Sequence, residues 1–564
     1  MMRLISIYTC FFLSFCLLLT PTSSVLGQDD SGGGSLYGAF QANANFFIRD
    51  ENIGAVNIPQ YDNQKFGADA WLNLNYKYKA VTAGVRYDMF NNSNLFDPNG
   101  SYTDQGIGMF FAEIDLGKLD LRAGHIYDQV GSGIIFRAYE LRPLLWDNAL
   151  FGVKLDYKLS DNWKLKAFTG RQRFLFGTYD SVIKGGSIDG YIQLGSEDMP
   201  LNLSPGFGIV SRTNSEAVTE KFVSILRNYI GDDRIEKFGY NNYLFSLYNS
   251  LDYGNFGWYI EGAYKSPDVF LDPFDELTQI NGTVTPGKFV REAGSTIYTS
   301  LSYATRKIGV TLEAKRTENF NFRTDQTLTL NRGIINFIPP MMRQNTYRLT
   351  SRYAPATQDI SELAFQGDFR YNLAKKLSGL TNFSVINTID GDALYRELYT
   401  HILYKYKRKW RLTAGAQMQF YNQAVYEGKP TTKTDDVMTI TPFFDFLYNI
   451  TRRNSIRVEG QYMSTEQDYG SWVYALVEVG IAPHWQFEAS GMYNIIPNET
   501  NENIPEAIRG NQIFYPTLGA VYSEGSNRYS LRYVKQVEGV VCSGGVCRLE
   551  PAFSGVKFEV NSTF

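Results

Sequence analysis

The sequence predicts an all-β protein: one large antiparallel transmembrane β-barrel of about 26 strands, within a range of about 22–26. Three observations carry that expectation. Segments of roughly ten residues alternate apolar with polar side chains, which puts one kind on each face of a strand. The connections between them alternate short and long, as in bacterial barrels. The chain also ends on such a strand, closing with the aromatic Phe564.

Composition agrees with a barrel. Aromatics are 15% of 564 residues, with 39 Tyr, 39 Phe and 50 Gly but only 4 Cys and 3 His. Mean hydropathy is −0.26. Beyond the first twenty-odd residues no apolar run approaches the roughly 20 residues a spanning helix needs. A barrel wall reconciles these facts, because only every second residue meets lipid. Length alone would suit roughly three or four soluble domains, so a large soluble all-β protein is the competing reading. The net charge of −4 gives no basic footprint, which argues against a nucleic-acid partner.

At the amino terminus, Arg3, the apolar run 4–19 and the small residues Val25 and Gly27 read as a secretory signal over residues 1–27, cut between Gly27 and Gln28. Cys10 and Cys16 leave with it. Cys16 follows Phe15 inside the apolar core and does not suit a lipoprotein acceptor. Residues 28–34 are expected to form a short periplasmic tail, and residues 35–564 the barrel. The strand-like run 36–48 follows so closely that no plug or periplasmic domain is expected ahead of the barrel. That expectation speaks against a TonB-dependent transporter and a barrel-assembly protein.

The strands follow in order. Leu72, Leu74, Tyr76 and Tyr78 alternate with Trp71, Asn73, Asn75 and Lys77. Val85 and Tyr87 alternate with Arg86 and Asp88. The same pattern returns at Trp163 and Leu165 against Lys164 and Lys166, at Ile308 to Ala314 against Glu313 and Lys315, and at Trp410 to Phe420 against Arg411, Gln417 and Gln419. From Trp485 to Tyr493 it lapses once, at Met492. The oily face is free of charge, and the other face suits a wet interior. Short connections include Lys118, 160–162, Arg306-Lys307, Lys375-Lys376, Lys407-Arg408-Lys409 and 482–484. Long ones include 49–65, 129–148, 266–293 and 496–510. The short set is assigned to the periplasm and the long set to the outside. The weakest strand-like runs are 205–212 and 326–338. Val218, Phe222, Ile225, Leu226 and Tyr229 recur at helical spacing, with Asn214 or Ser215 as cap and Gly231 as stop, predicting a short helix in an outer loop.

The run 124–148 breaks the alternation. Gly131 and Gly133 can interrupt a strand, and Arg137, Glu140, Arg142 and Asp147 cluster among large apolar groups. Folded inward, those four would form a charged constriction; folded outward, they would make ordinary salt bridges on an outer loop. Cys542 and Cys547 flank a Ser-Gly-Gly-Val turn near the end of the chain, where an oxidising compartment favours a disulfide. Their spacing and surroundings do not suit a metal site.

Two resemblances add to this. The final segment, with Phe558 and Val560 on its oily face and Phe564 at its end, resembles the terminal strand of bacterial outer-membrane barrels, where the last aromatic is part of an assembly signal. It implies outer-membrane lipid and the barrel-assembly machinery as partners. The run from Gly124 to Gly152, with its Gly-Ser-Gly, Arg-x-Tyr-Glu-x-Arg and Asp-Asn elements, is similar to a family of uncharacterised Bacteroidota outer-membrane barrels. So is 337–347, Phe-Ile-Pro-Pro-Met-Met-Arg-Gln-Asn-Thr-Tyr, continuing to 353–358. That resemblance implies an outer-membrane location and brings no substrate or catalytic residue.

No nucleophile elbow and no His-Glu-x-x-His motif is present, and His125, His401 and His484 lie far apart, so no enzyme activity, cofactor or metal is expected. The sequence favours a porin-like channel or transporter for small hydrophilic or amphipathic solutes. The alternative is a loop-filled barrel serving as a structural subunit that binds a lipoprotein or another outer-membrane partner.

Overall fold

In the computed structural model, residues 33–196, 199–227, 239–329, 332–357, 360–429, 433–506, 508–543 and 546–564 are described. The signal with its Gly27–Gln28 junction lies outside them. The period-two pattern becomes a closed wall of 24 antiparallel strands plus one extra strand. The first strand, Ser35–Phe47, closes on the last, Phe553–Thr563, from Ala39 opposite Thr563 to Phe47 opposite Gly555. The extra strand, Ile192–Ser196, continues Gly177–Gly190: Asp189 faces Gly206, and after Gly190 and Tyr191 the same register resumes with Ile192 facing Leu203.

The count lies within the expected range of about 22–26, and of the two weakest strand-like runs one is a strand and one is not. Residues 205–212 do lie in a wall strand, Met199–Thr213. Residues 326–338 do not. They contribute only the isolated bridge between Arg323 and Ile334 and belong to a segment, 319–361, that leaves the wall and enters the lumen. A second correction concerns 266–293. It is a two-stranded ribbon, formed because Phe256–Thr278 and Val284–Ala304 run on together past the rim, with irregular register between Lys265 and Asp268 and again between Asp272 and Glu276. Outer connections are not uniformly long either, since 175–176 and 389–392 are tight turns.

Tyr76, Val85, Tyr87, Ile297, Ile308, Trp485, Phe487, Leu518 and Leu531 are exposed on the outer face. A closed barrel with such an apolar exterior satisfies its backbone within the wall and crosses a bilayer, here the outer membrane. Phe558 faces outward opposite Leu531, and Val560 shares that face opposite Ala42. Phe564 closes the seam, its N–H donating to Gly38 at 3.0 Å while its carbonyl accepts from Gly38 at 2.7 Å. The short helix is Glu216–Leu226, capped by the Ser215 hydroxyl, which accepts from Val218 N–H. The Tyr229 and Gly231 of the expected helix end lie outside the described residues. Val218 and Phe222 pack on Val269 and Phe289 of the ribbon.

The core lies inside the barrel, toward the long connections. Two large apolar clusters join inner-wall residues such as Phe168, Tyr395, Tyr421, Trp472 and Tyr515 to loop residues such as Ile135, Phe136, Ile338, Leu349 and Tyr353. Met492, the lapse in the polar face, is buried in one of them. The inner face turns apolar where the lumen is filled.

Candidate functional site

Two segments fill that half of the lumen, 127–149 and the described residues of 319–361. Neither joins the wall's ladder; apart from two short internal pairings, 129–130 with 136–137 and 140–141 with 146–147, both place polar backbone against wall side chains. They also bind each other. Phe337 N–H donates to Gly133 O at 3.0 Å, Arg137 N–H donates to Ile335 O at 3.0 Å, and Asn148 Nδ2 donates to Ile334 O at 3.2 Å. The Arg137 guanidinium stacks on the rings of Phe337 and Tyr139, 4.2 and 4.7 Å from their centres.

The first segment is fastened to the wall by charge. Arg86 donates to Asp88 at 2.6 Å, Glu140 at 2.7 Å and Asp147 at 3.0 Å. Arg173 donates to Asp88 at 2.9 Å and also to Asp147. Tyr127 O–H donates to Asp147 at 2.9 Å, and burial raises this phenol above its ordinary range. Arg142 pairs with Glu140 at 3.2 Å, donates to Gln41 at 2.9 Å and lies over Trp71. Gln41 sits midway along its strand, so the segment reaches mid-barrel. At its start, Asp128 meets Lys154 and Lys166. Burial alone would raise that carboxyl, but the two ammonium groups outweigh it and hold it below the usual range.

The second segment is fastened on the opposite wall. Lys315 pairs with Glu362 at 2.5 Å, both fully buried, and donates to Pro339 O at 2.7 Å. Leu349 N–H donates to Gln461 at 2.7 Å, and Gln417 donates to Thr350 O at 3.0 Å. Arg352 pairs with Asp468 at 3.3 Å among the rings of Tyr353, Tyr469 and Trp472. Asp468 also accepts from Tyr353 O–H at 2.8 Å and Gln423 at 3.0 Å. Burial pushes this carboxyl up, yet Arg352 and the hydrogen bonds outweigh it and the net direction is down.

Above the plug lies a cavity of about 1220 Å³. Arg86, Glu140, Arg142, Trp146 and Asp147 line one side of it, and Asp268 to Leu271 of the ribbon another. A second cavity of about 430 Å³ is lined by Tyr127, Asp128, Arg137, Tyr139 and Glu140. Of the four residues singled out in the sequence, Glu140, Arg142 and Asp147 thus meet in one network, while Arg137 stands apart on aromatic rings. Sequence reasoning left out Arg173, and it read 319–361 only as a weak strand-like run at 326–338 and a family resemblance at 337–347 and 353–358, not as a second lumen segment. The available signal was the loss of alternation after Glu318, followed by Pro339-Pro340. Cys542 and Cys547 are register partners in the hairpin Gly539–Ser543 and Val546–Glu550; their side chains lie outside what is described.

A model described as a family of unknown function (DUF6029) matches residues 1–564. No curated protein matches the chain. Among solved structures it is similar to the siderophore receptor PirA from Pseudomonas aeruginosa, at 8% identity and TM-score 0.37, over 94% of this chain and 80% of that one. It is similar to the outer membrane transporter YddB from Escherichia coli, at 8% identity and TM-score 0.37, over 94% and 81%. It is also similar to a mutant of the ferric enterobactin receptor PfeA from Pseudomonas aeruginosa, at 9% identity and TM-score 0.41, over 94% and 81%.

Proposed function

The chain belongs to the DUF6029 family of unknown function, and we propose from its own geometry that it is a gated outer-membrane channel or transporter for small amphipathic solutes. The observation that carries this reading is the position of Glu140, which lines both the large outer cavity and the smaller one. A solute in the outer cavity meets Glu140, with Arg86 and Arg142 bound to it, before it meets anything beyond the plug. The cavity wall mixes aromatic side chains, among them Trp71, Phe90, Phe96 and Phe270, with charged ones of both signs, which suits an amphipathic solute better than a plainly ionic one. Apart from the Arg173 N–H donating to Ala149 O at 2.8 Å where the first segment rejoins the wall, the plug is held mainly by side-chain contacts, so it can shift while the strand ladder stays closed.

The test is single-channel conductance of the refolded protein, wild type beside Glu140→Gln and Arg86→Ala/Arg173→Ala. The expected result is a small or intermittent wild-type conductance, altered ion selectivity in the first variant and larger openings in the second. A folded, heat-modifiable barrel that conducts in none of the three would sink the channel reading. The ribbon 266–294 favours the second reading, a partner-binding subunit, because it projects past the rim, where among the described residues the ladders to its neighbouring wall strands end at Lys265 and Ser295. A partner recovered with the intact chain and lost when the ribbon is shortened would support it.

A further inference from the structure

The short-turn rim of the barrel is uneven in charge. Four turns carry Arg306-Lys307, Lys375-Lys376, Lys407-Arg408-Lys409 and Arg452-Arg453. All of these side chains are exposed, and the turns contain no Asp or Glu. Among the described residues none of them meets a carboxylate in an ion pair. The strands they join, from Val284–Ala304 to Asn454–Met463, are consecutive neighbours in the wall, so the cations form one continuous arc. Elsewhere the rim is mixed: Asp115 stands near Lys118, Asp161 near Lys158, and the turns at 482–484 and 525–526 hold no Lys or Arg.

The arc also leans outward. Lys376 and Lys407 lie 5.3 and 5.7 Å from the ring centre of Tyr406, and Lys409 lies 5.8 Å from that of Tyr448. Tyr406 shares the outward parity of exposed Ile402, and Tyr448 that of exposed Phe444. Both rings belong to a band with Tyr404, Trp410 and Phe446, their centres 5.2–6.4 Å from one another along the band. Such girdles mark the level of lipid headgroups. The ammonium groups therefore sit at headgroup depth on the membrane side of the wall, with their stems along apolar surface.

We propose that this arc is a binding surface for anionic phospholipid headgroups of the leaflet at the short-turn end. A run of exposed cations with no protein counter-charge attracts the nearest anions, and at that depth those are lipid phosphates. Phosphatidylcholine has no net charge and satisfies the arc poorly; phosphatidylglycerol satisfies it well. The barrel thereby holds an anionic lipid annulus on one side only.

The experiment is native mass spectrometry of the full-length barrel, refolded in an equal mixture of phosphatidylcholine and phosphatidylglycerol vesicles, counting the lipids it retains. The wild type should retain phosphatidylglycerol in clear excess, and added salt should reduce the excess. Replacing all four turns' cations by Gln should return the retained lipids to the composition of the mixture. Each single-turn variant, kept alongside in case the full variant assembles poorly, should lower the preference by roughly tenfold. Lys79→Gln/Lys118→Gln/Lys158→Gln, on the far arc, should leave it as in the wild type. An unchanged preference in folded arc variants, or an equal loss in the far-arc control, overturns the proposal. So does a wild type with no lipid preference that instead captures a polyglutamate peptide, which would make the arc a protein-docking surface.

Discussion

Arg86 of the barrel wall donates to Asp147 of the inward segment at 3.0 Å, with the Arg86 side chain 2% exposed. The contact joins two parts of the molecule with different duties, a wall that must stay closed and a plug that must be placed. Arg173 approaches the same carboxylate from another strand, so the segment is held between two guanidinium groups.

Removing one cation from this cluster leaves buried carboxylates without their partner. Arg86→Ala should weaken docking of residues 127–149 by about 3–5 kcal/mol while the strand ladder survives. The check is limited proteolysis of the refolded barrel: faster cleavage inside 127–149, with heat-modifiable migration preserved. Equal protection in wild type and variant would show that the ion pairs do not hold the plug.

Acid should release the plug at a definable point. Asp128 and Asp468 both have folded-state carboxyls held below their ordinary range. Their stabilisation is therefore complete above the unfolded value near about 3.9 and is lost as pH falls through the lower folded values. Protection of both segments from hydrogen exchange should stay flat at neutral pH and begin to fall only below about pH 4. A loss centred near pH 6 would assign the control to other groups.

Arg352 offers a test of the second segment. Arg352→Ala should cost about 3–5 kcal/mol of docking, because Asp468 stays buried. Arg352→Met combined with Asp468→Leu should recover most of that cost, since a matched apolar pair needs no counter-charge. Hydrogen exchange over residues 340–357 in the three variants reads the comparison. A double variant as exposed as the single one would refute the pairwise account.

The terminal hairpin should be cross-linked. Directly opposed residues of an antiparallel pair are about 4.5–5.5 Å apart at Cα, within the range a disulfide spans. Alkylation of the mature chain should find Cys542 and Cys547 unreactive until a reductant is added. Two free thiols in protein taken from its native membrane would exclude the bond.

The wall was legible in the sequence because its physics is local. Lipid on one side and water or plug on the other impose period two, and Trp71, Arg86, Lys315 and Gln417 all face the side their parity predicts. The end of the chain was legible for the same reason. The plug was only half legible. The run with Arg137, Glu140, Arg142 and Asp147 betrayed itself by losing alternation, but whether it turned inward depended on Arg86 and Arg173, partners remote in sequence. The 319–361 segment left less trace, since its apolar residues match no neighbour until the wall around Tyr395, Tyr421 and Trp472 is assembled. The ribbon 266–294 looked like a loop because Pro267, Pro273 and Pro286 interrupt strands whose pairing nevertheless continues.

The seam between Ser35–Phe47 and Phe553–Thr563 imposes an order in time. It joins the two ends of the wall, so the ring cannot close before the last residues are made. Once it is made, a closed 24-strand ring offers no gap through which residues 127–149 or 319–361 could pass sideways, so they can enter or leave the lumen only along its axis. The seam thereby turns the two inward segments into pieces that slide along one axis, since every other direction is walled off.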